Sequence, residues 1–264
     1  EFWNEKTAKY IKEKLGGADL ITRLNVFAHV DDVHSFIKNV KIALNENGIL
    51  VLEVPYLVDF LGKHEFDTVY HEHLSYFLLK PLELLLKMND MKIIDARKYE
   101  IHGGTIEIHA VKNDSKIEYA ENHYNDFLLI EKNLGLHSFD SYINFSNEVK
   151  NMKKNFIELI SELKENNYSI AGFAASAKGN TLLNFCELNH SQIDYIVDET
   201  PTKQNLYTPG SKIPIVEMNY FEKNYPDFLI ILAWNFTDEI ISKTKNFKKN
   251  GGKYIIPIPK IQII

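Results

Sequence analysis

The sequence predicts an α/β protein built from two successive units, each with a parallel sheet. Two stretches carry that prediction. A strand–helix–strand pattern occupies residues 18–54, and a second alternating set of short apolar runs and helical periods begins at Tyr168. Between them lies a long charge-rich helical stretch. A chain of 264 residues is long enough for two ordinary domains with separate cores.

Along the chain, Phe2, Trp3, Ala8, Tyr10, Ile11 and Leu15 recur at helical spacing, and Gly16-Gly17 ends that helix. Ala18–Leu24 reads as a buried strand and residues 25–32 as a loop. Val33, Phe36, Ile37, Val40 and Leu44 form the apolar stripe of an amphipathic helix. Asn45–Gly48 reads as a turn leading into the strand Ile49–Val54. A unit of about 35 residues in this order is a parallel crossover, which places ligands beyond the carboxyl ends of its strands. Asn25 and Pro55-Tyr56 sit at those ends.

Pro81–Met88 follows as a helix, then two strands, Met91–Arg97 and Thr105–Val111, separated by His102-Gly103-Gly104. Those glycines suit a tight turn or a close approach to a ligand. Residues 116–165 read as one long connecting helix. Beyond it come a strand over Ser169–Phe173, a small-residue loop from Ala174 entering a helix through Phe185, and strands at Ile193–Asp198 and Phe228–Trp234. A helix from Thr237 to about Phe247 and a last strand at Tyr254–Pro257 complete the set. The expected organisation is residues 1–115, a helical connector over 116–165, and a C-terminal α/β domain over 166–264.

Composition removes several classes of function. With 30 basic against 36 acidic residues, net −6, and no basic cluster, a nucleic-acid polymer is not an expected partner. One cysteine, Cys186, rules out an intrachain disulfide and a four-cysteine zinc site within these residues. No apolar run reaches the roughly 18 to 20 residues of a membrane span, and the N-terminus has no signal pattern, so a cytoplasmic protein without a membrane partner is expected.

The densest chemistry lies in Asp67–Phe77, where His71, Glu72, His73, Tyr70 and Tyr76 interrupt an otherwise apolar run. A histidine beside a carboxylate can act as a base and a tyrosine can donate to an oxyanion, although an aromatic interface with histidines at a turn has the same composition. His64, His71, His73 and Glu72 lack the i,i+4 spacing of a zinc-binding helix, so no metal is expected there. The loop Ala174–Thr181 could cradle a phosphate with Lys178 supplying charge. It is neither a full dinucleotide fingerprint nor a Walker loop, and close helix–strand packing uses the same small residues.

Seven blocks in one order resemble the S-adenosylmethionine-dependent sugar-nucleotide C-methyltransferases. They are Asp67–Phe77, His102-Gly103-Gly104, Ala175–Phe185, Thr200–Asn205, Tyr207–Gly210, Ile213-Pro214-Ile215 and Ala233-Trp234-Asn235. The resemblance implies the C-terminal half of a Rossmann-like methyltransferase sheet followed by a second Rossmann-like α/β domain. It implies methyl transfer from S-adenosylmethionine to a carbon alpha to the keto group of a nucleotide-linked 4-keto deoxysugar, with dTDP as the expected nucleotide. In that frame His73 is the base, Tyr70 orients the sugar or donates to the enolate, and Glu72 holds the sugar or His73. Asn25 and His29 match positions near the sulfonium and the sugar-nucleotide phosphates, and Lys178, Asn180 and His102 match positions that bind substrate. The family also carries an N-terminal cysteine-ligated zinc domain and a glycine-rich first loop. Neither is seen here, so the chain is expected to be N-terminally incomplete, with zinc confined to the region it lacks. Two rivals follow: a sugar-nucleotide-binding module without catalysis, favoured for these residues taken alone, and an NAD(P)-dependent sugar reductase using the Ala174–Lys178 loop. The resemblance implies no oligomeric state.

Overall fold

The computed structural model describes residues 2–101 and 103–264. The chain divides into two compact units: one comprises residues up to Gly62 together with His71–Tyr142, the other Lys63–Tyr70 with Ile143–Ile264.

In the first unit, α1 (Glu5–Lys14) is N-capped by Asn4, whose side chain accepts from the Thr7 amide at 3.0 Å. β1 (Ala18–Leu24) and α2 (Val33–Ala43) follow, the helix capped by Asp32 accepting from the Ser35 amide at 2.9 Å. Phe36, Ile37, Val40 and Ala43 bury the apolar stripe of α2. β2 (Leu44–Pro55) begins at once, where the sequence suggested a turn. Ala18 pairs with Leu44 and Leu20 with Ile49, so residues 45–48 form an irregularity inside the strand. Asn45 holds it there, donating to Asp19 and accepting from Lys12, both at 2.8 Å.

After α3 (Leu57–Gly62) and the excursion into the other unit, α4 (Leu79–Met88) leads to β3 (Met91–Tyr99) and β4 (Thr105–Lys112). Pro81 is tolerated in the first turn of α4 because the amide it lacks would have no intrahelical partner. The sheet order is β1-β2-β4-β3. Only β1 and β2 are parallel, and the other two pairs are antiparallel, so the expected all-parallel sheet is mixed in this unit. The cause is the β3–β4 hairpin: its short turn leaves no length for a crossover. Gly104 closes that turn at φ 139°, and a Cβ there would lie 2.3 Å from Asp59 Cγ.

The expected single connector is two helices, α5 (Tyr124–Asn133) and α6 (Phe139–Glu165). Gly135, at φ 65°, ends the first in the left-handed conformation typical of a helix C-terminus, and Leu136 is buried in the first unit's core. Glu131 of α5 caps α4 in place of a local residue. Its carboxylate accepts from the Leu79 amide, from the Lys80 amide at 3.2 Å and from Tyr56 at 3.1 Å.

The second unit contains β5 (Ile170–Phe173), α7 (Ala177–Phe185), β6 (Tyr195–Val197), β7 (Ile215–Val216), α8 (Met218–Lys223) and β8 (Phe228–Ile231). It ends with α9 (Thr237–Lys243), α10 (Lys245–Lys249), β9 (Lys253–Ile256) and β10 (Gln262–Ile263). The sheet order is β10-β9-β8-β5-β6-β7, parallel except for β10 at one edge. Along β8, Phe228 and Ile230 enter one core while Leu229 and Ile231 enter another, so both faces are buried, as a parallel sheet requires. Val149, Phe156, Ile160 and Leu163 of α6 complete the first of these cores.

Two expected elements are shorter than the apolar pattern suggested. β8 stops at Ile231, and the chain turns into a short 3₁₀ stretch at Trp234–Phe236. The helix from Thr237 is interrupted at Thr244, whose hydroxyl is engaged with Ile240 O and Tyr254 Oη. Among the described residues no helix is long and apolar enough to cross a membrane, and no group of three or more His, Cys, Asp or Glu converges as a metal site.

Candidate functional site

In the second unit the strand order itself locates a crevice. The chain moves outward from β5 through β6 to β7 in one direction, and through β8 to β9 in the other. Such a reversal leaves a gap at the carboxyl ends of β5 and β8, where open α/β sheets bind ligands. Lys178 comes from the segment after β5 and Trp234 from the segment after β8. The Lys178 ammonium lies 4.4 Å from the centre of the Trp234 ring. The Trp234 indole N–H donates to Asp67 Oδ2 at 2.7 Å, and Asp67 is completely buried. Burial pushes the Asp67 carboxyl up to about 6, against the opposing pull of the Trp234 hydrogen bond and the Lys178 charge. Burial also lowers Lys178, while the Asp67 and Glu65 charges oppose that shift.

The start of α7 is built for close packing as well as for a ligand. Ser176 caps it by accepting from the Gly179 amide at 3.0 Å. A Cβ on Gly179 would lie 2.8 Å from Leu232 Cβ, so the small residues of this loop bring helix and sheet together. Asn180 donates to Ser176 O at 3.0 Å, and its Oδ1 is buried without a hydrogen-bond partner among the described residues. On the other side of the cap, Asp198 accepts from the Ala175 amide at 2.7 Å and from Thr200, with Lys203 3.4 Å away. Burial would raise Asp198, but those hydrogen bonds and the lysine charge outweigh it and leave it below its usual range.

The first unit gathers a second set at the carboxyl ends of β1 and β2. Asn25 adopts φ 54° and is held twice to Glu53: its amide donates to Glu53 O at 3.1 Å and its Nδ2 to Glu53 Oε1 at 2.6 Å. His29 Nδ1 lies 2.6 Å from the Glu72 carbonyl oxygen. A carbonyl only accepts, so Nδ1 carries the proton, and in the neutral ring Nε2 is left as an acceptor. The His29 and His73 rings are 5.0 Å apart, and Tyr76 meets His73 edge-on at 6.2 Å.

The His71–Phe77 segment is not a strand. It is fastened to this edge by Leu74 and Ser75 amides donating to Ala28 O, and by Leu57 N donating to Phe77 O. Phe77 also stacks on Phe27 at 5.1 Å.

Among the residues the sequence singled out, His29, Glu72 and His73 therefore come together, and Asn25 lies in the same unit, held to Glu53. Glu72 contributes its carbonyl to His29, and its side chain is exposed. Tyr70 is half-buried and closes the segment that belongs to the second unit, which also holds Lys178 and Asn180. His102 lies outside the described residues. Sequence reasoning gave no role to Glu53, Asp67, Tyr76 or Trp234. The signal for Glu53 was available, since it is a lone carboxylate in the apolar run Ile49–Val54, where an unpaired charge is not tolerated.

In this two-unit mixed α/β chain, polar residues stand at the carboxyl edge of each parallel pair, where open α/β sheets bind ligands. Comparison with known proteins makes the class specific. Residues 100–259, more than half of the chain, match the family described as C-methyltransferase C-terminal domain, and the chain belongs to that family. It is also similar to C-methyltransferase NovU of Streptomyces niveus, with 34% identity over 256 residues. That similarity covers 96% of this chain and 60% of the relative, so the chain spans about three fifths of the relative's length.

Proposed function

We propose that this protein transfers a methyl group from S-adenosylmethionine to the carbon alpha to the ketone of a nucleotide-linked 4-keto deoxysugar. The observation that supports this most is the His29–Glu72–His73 arrangement at the carboxyl edge of β1 and β2 in a chain of the C-methyltransferase family.

His73 takes the α-proton. A neutral imidazole has the basicity to do so at neutral pH once the carbonyl is polarised. His29 keeps His73 in place indirectly, by pinning the Glu72 carbonyl one residue before it and by leaning against its ring. Tyr70 donates to the developing enolate oxygen. Glu72, exposed at the start of this segment, holds sugar hydroxyls. Lys178, Asn180 and His102 bind the nucleotide sugar, Lys178 through a phosphate.

The donor set at the β1 edge fits a sulfonium cofactor, since the cationic methyl donor suits a loop whose polar groups are the Glu53 carboxylate, the Asn25 amide and the His29 acceptor nitrogen. When bound, S-adenosylmethionine supplies an electrophilic methyl group, and Asn25 and His29 are the residues that would hold it.

The test follows solvent deuterium at the α-carbon of a nucleotide-linked 4-keto-6-deoxyhexose by NMR, with and without methyl donor. Exchange lost in His73→Asn supports the assignment; unchanged exchange overturns it. Calorimetry separates the rivals, because a binding module takes the nucleotide sugar without S-adenosylmethionine and a reductase takes a dinucleotide.

A further inference from the structure

We infer that Asp67 and Trp234 are positioning residues for Lys178: the buried carboxylate fixes the indole, and the indole forms the platform that holds the ammonium at the crevice between β5 and β8. The inference rests on the reading of Lys178 as the group that binds a phosphate of the nucleotide sugar.

Lys178 stands in the first turn of α7, a nine-residue helix whose N-terminus already carries partial positive charge. A cation gains nothing there by itself. Among the described residues Lys178 makes no hydrogen bond or ion pair, only the contact with the Trp234 face. A long side chain in that position is useful when its head is held in advance, because ordering it on binding costs affinity. Trp234 supplies the hold, and its ring is oriented by one hydrogen bond, from Nε1 to Asp67 Oδ2 at 2.7 Å.

Asp67 is a costly choice for that task. An apolar neighbour would have packed the ring, yet the chain places a completely buried carboxylate there, with Oδ1 lacking a hydrogen-bond partner among the described residues. What it adds is charge. The groups acting on Lys178 are Asp67 and Glu65, both from the Lys63–Tyr70 segment. Asp198 and Lys203 are engaged with one another at Ala175, and His64 is paired with Glu148. Ionised Asp67 offsets the Lys178 charge while the crevice is empty and repels an incoming anion. Protonated Asp67 leaves that charge to the ligand. Binding of a phosphate is therefore coupled to protonation of Asp67, and affinity rises as pH falls through the range in which the carboxyl titrates.

The test uses the 264-residue chain and thymidine diphosphoglucose, whose pyrophosphate is esterified at both ends, so that each phosphate carries one charge that holds throughout. Dissociation constants are measured by calorimetry from about pH 7.5 to about pH 5.5. Lys178→Met tests the underlying reading and is expected to lose binding; if it binds like the wild type, that reading falls. Trp234→Phe keeps an aromatic ring but removes the N–H, and is expected to weaken binding about threefold to tenfold. Asp67→Asn keeps an acceptor for the indole and removes the charge. It is expected to bind at about pH 7.5 as tightly as the wild type does at about pH 5.5, with no pH slope attributable to this site. If Lys178→Met fails to bind while Trp234→Phe and Asp67→Asn both behave as wild type at every pH, the positioning role is overturned and the phosphate reading stands. A wild-type slope retained in Asp67→Asn overturns the coupling to Asp67. Should Trp234→Phe not fold, Asp67→Leu, which removes the acceptor of the indole N–H, takes its place: weakened binding supports the positioning role and wild-type binding overturns it.

Discussion

Asp67→Asn has a consequence for stability that follows from the same buried carboxylate. The folded state holds the Asp67 carboxyl at about 6 against an ordinary 3.8, chiefly by burial. A raised acid favours the fold while it is protonated, so its stabilising effect is complete below about pH 3.8 and is lost as pH rises through about 6. The shift corresponds to about 3 kcal/mol. Asparagine does not titrate, so the stability gap between variant and wild type should move by about 3 kcal/mol in the variant's favour between about pH 3 and about pH 7.

The amide N–H that replaces Oδ1 has no partner among the described residues and costs about 1 to 2 kcal/mol of the gain. The net at neutral pH is then a stabilisation of about 1 to 2 kcal/mol, or roughly 5 °C in Tm. Trp3 lies in the first unit and Trp234 in the second, and the sequence contains two tryptophans, so a Trp3→Phe background lets fluorescence follow the second unit alone. A gap that does not change with pH, or a variant less stable than wild type at neutral pH, would refute the reasoning.

Glu131→Gln should lower the stability of the first unit by about 2 to 3 kcal/mol in urea titrations, because a buried carboxylate accepting only from donors is replaced by a group that must turn an N–H toward one of them. Gly179→Ala should destabilise the second unit by about 1 to 3 kcal/mol, given the 2.8 Å approach of the added Cβ to Leu232, and the reading of this loop as close packing fails if melting is unchanged. Glu53→Gln should keep the fold and weaken S-adenosylmethionine binding, read by calorimetry, since Asn25 then loses the charged acceptor at 2.6 Å that orients it.

Much of this architecture was legible because apolar spacing and cap residues act locally. Ala18–Leu24 and the start of α2 at Val33 coincide with the observed elements, although the strand expected to be buried is an edge strand in which only Ile21 is buried. Elements set by distant contacts were not legible. The residues Asn45–Gly48 have turn composition, yet Asp19 and Lys12 hold Asn45 inside a strand. The break between α5 and α6 depends on Gly135 taking a left-handed conformation, which a helical period hides. β10 is a two-residue edge strand whose existence depends on β9.

At the sites, histidines in an apolar run announced themselves. The partner that fixes His29 is a backbone carbonyl, which no side-chain pattern encodes. Asp67 and Trp234 stand 167 residues apart, and only the strand order and the Lys63–Tyr70 excursion bring them together.

The most direct test of the central claim is deuterium incorporation at the α-carbon of a nucleotide-linked 4-keto-6-deoxyhexose, followed by NMR in the wild-type protein and its His73→Asn variant. The account predicts exchange in the wild type at a rate no slower than methyl transfer, and its loss with methyl transfer in the variant while nucleotide-sugar binding persists. Methyl transfer at the wild-type rate in His73→Asn would contradict it.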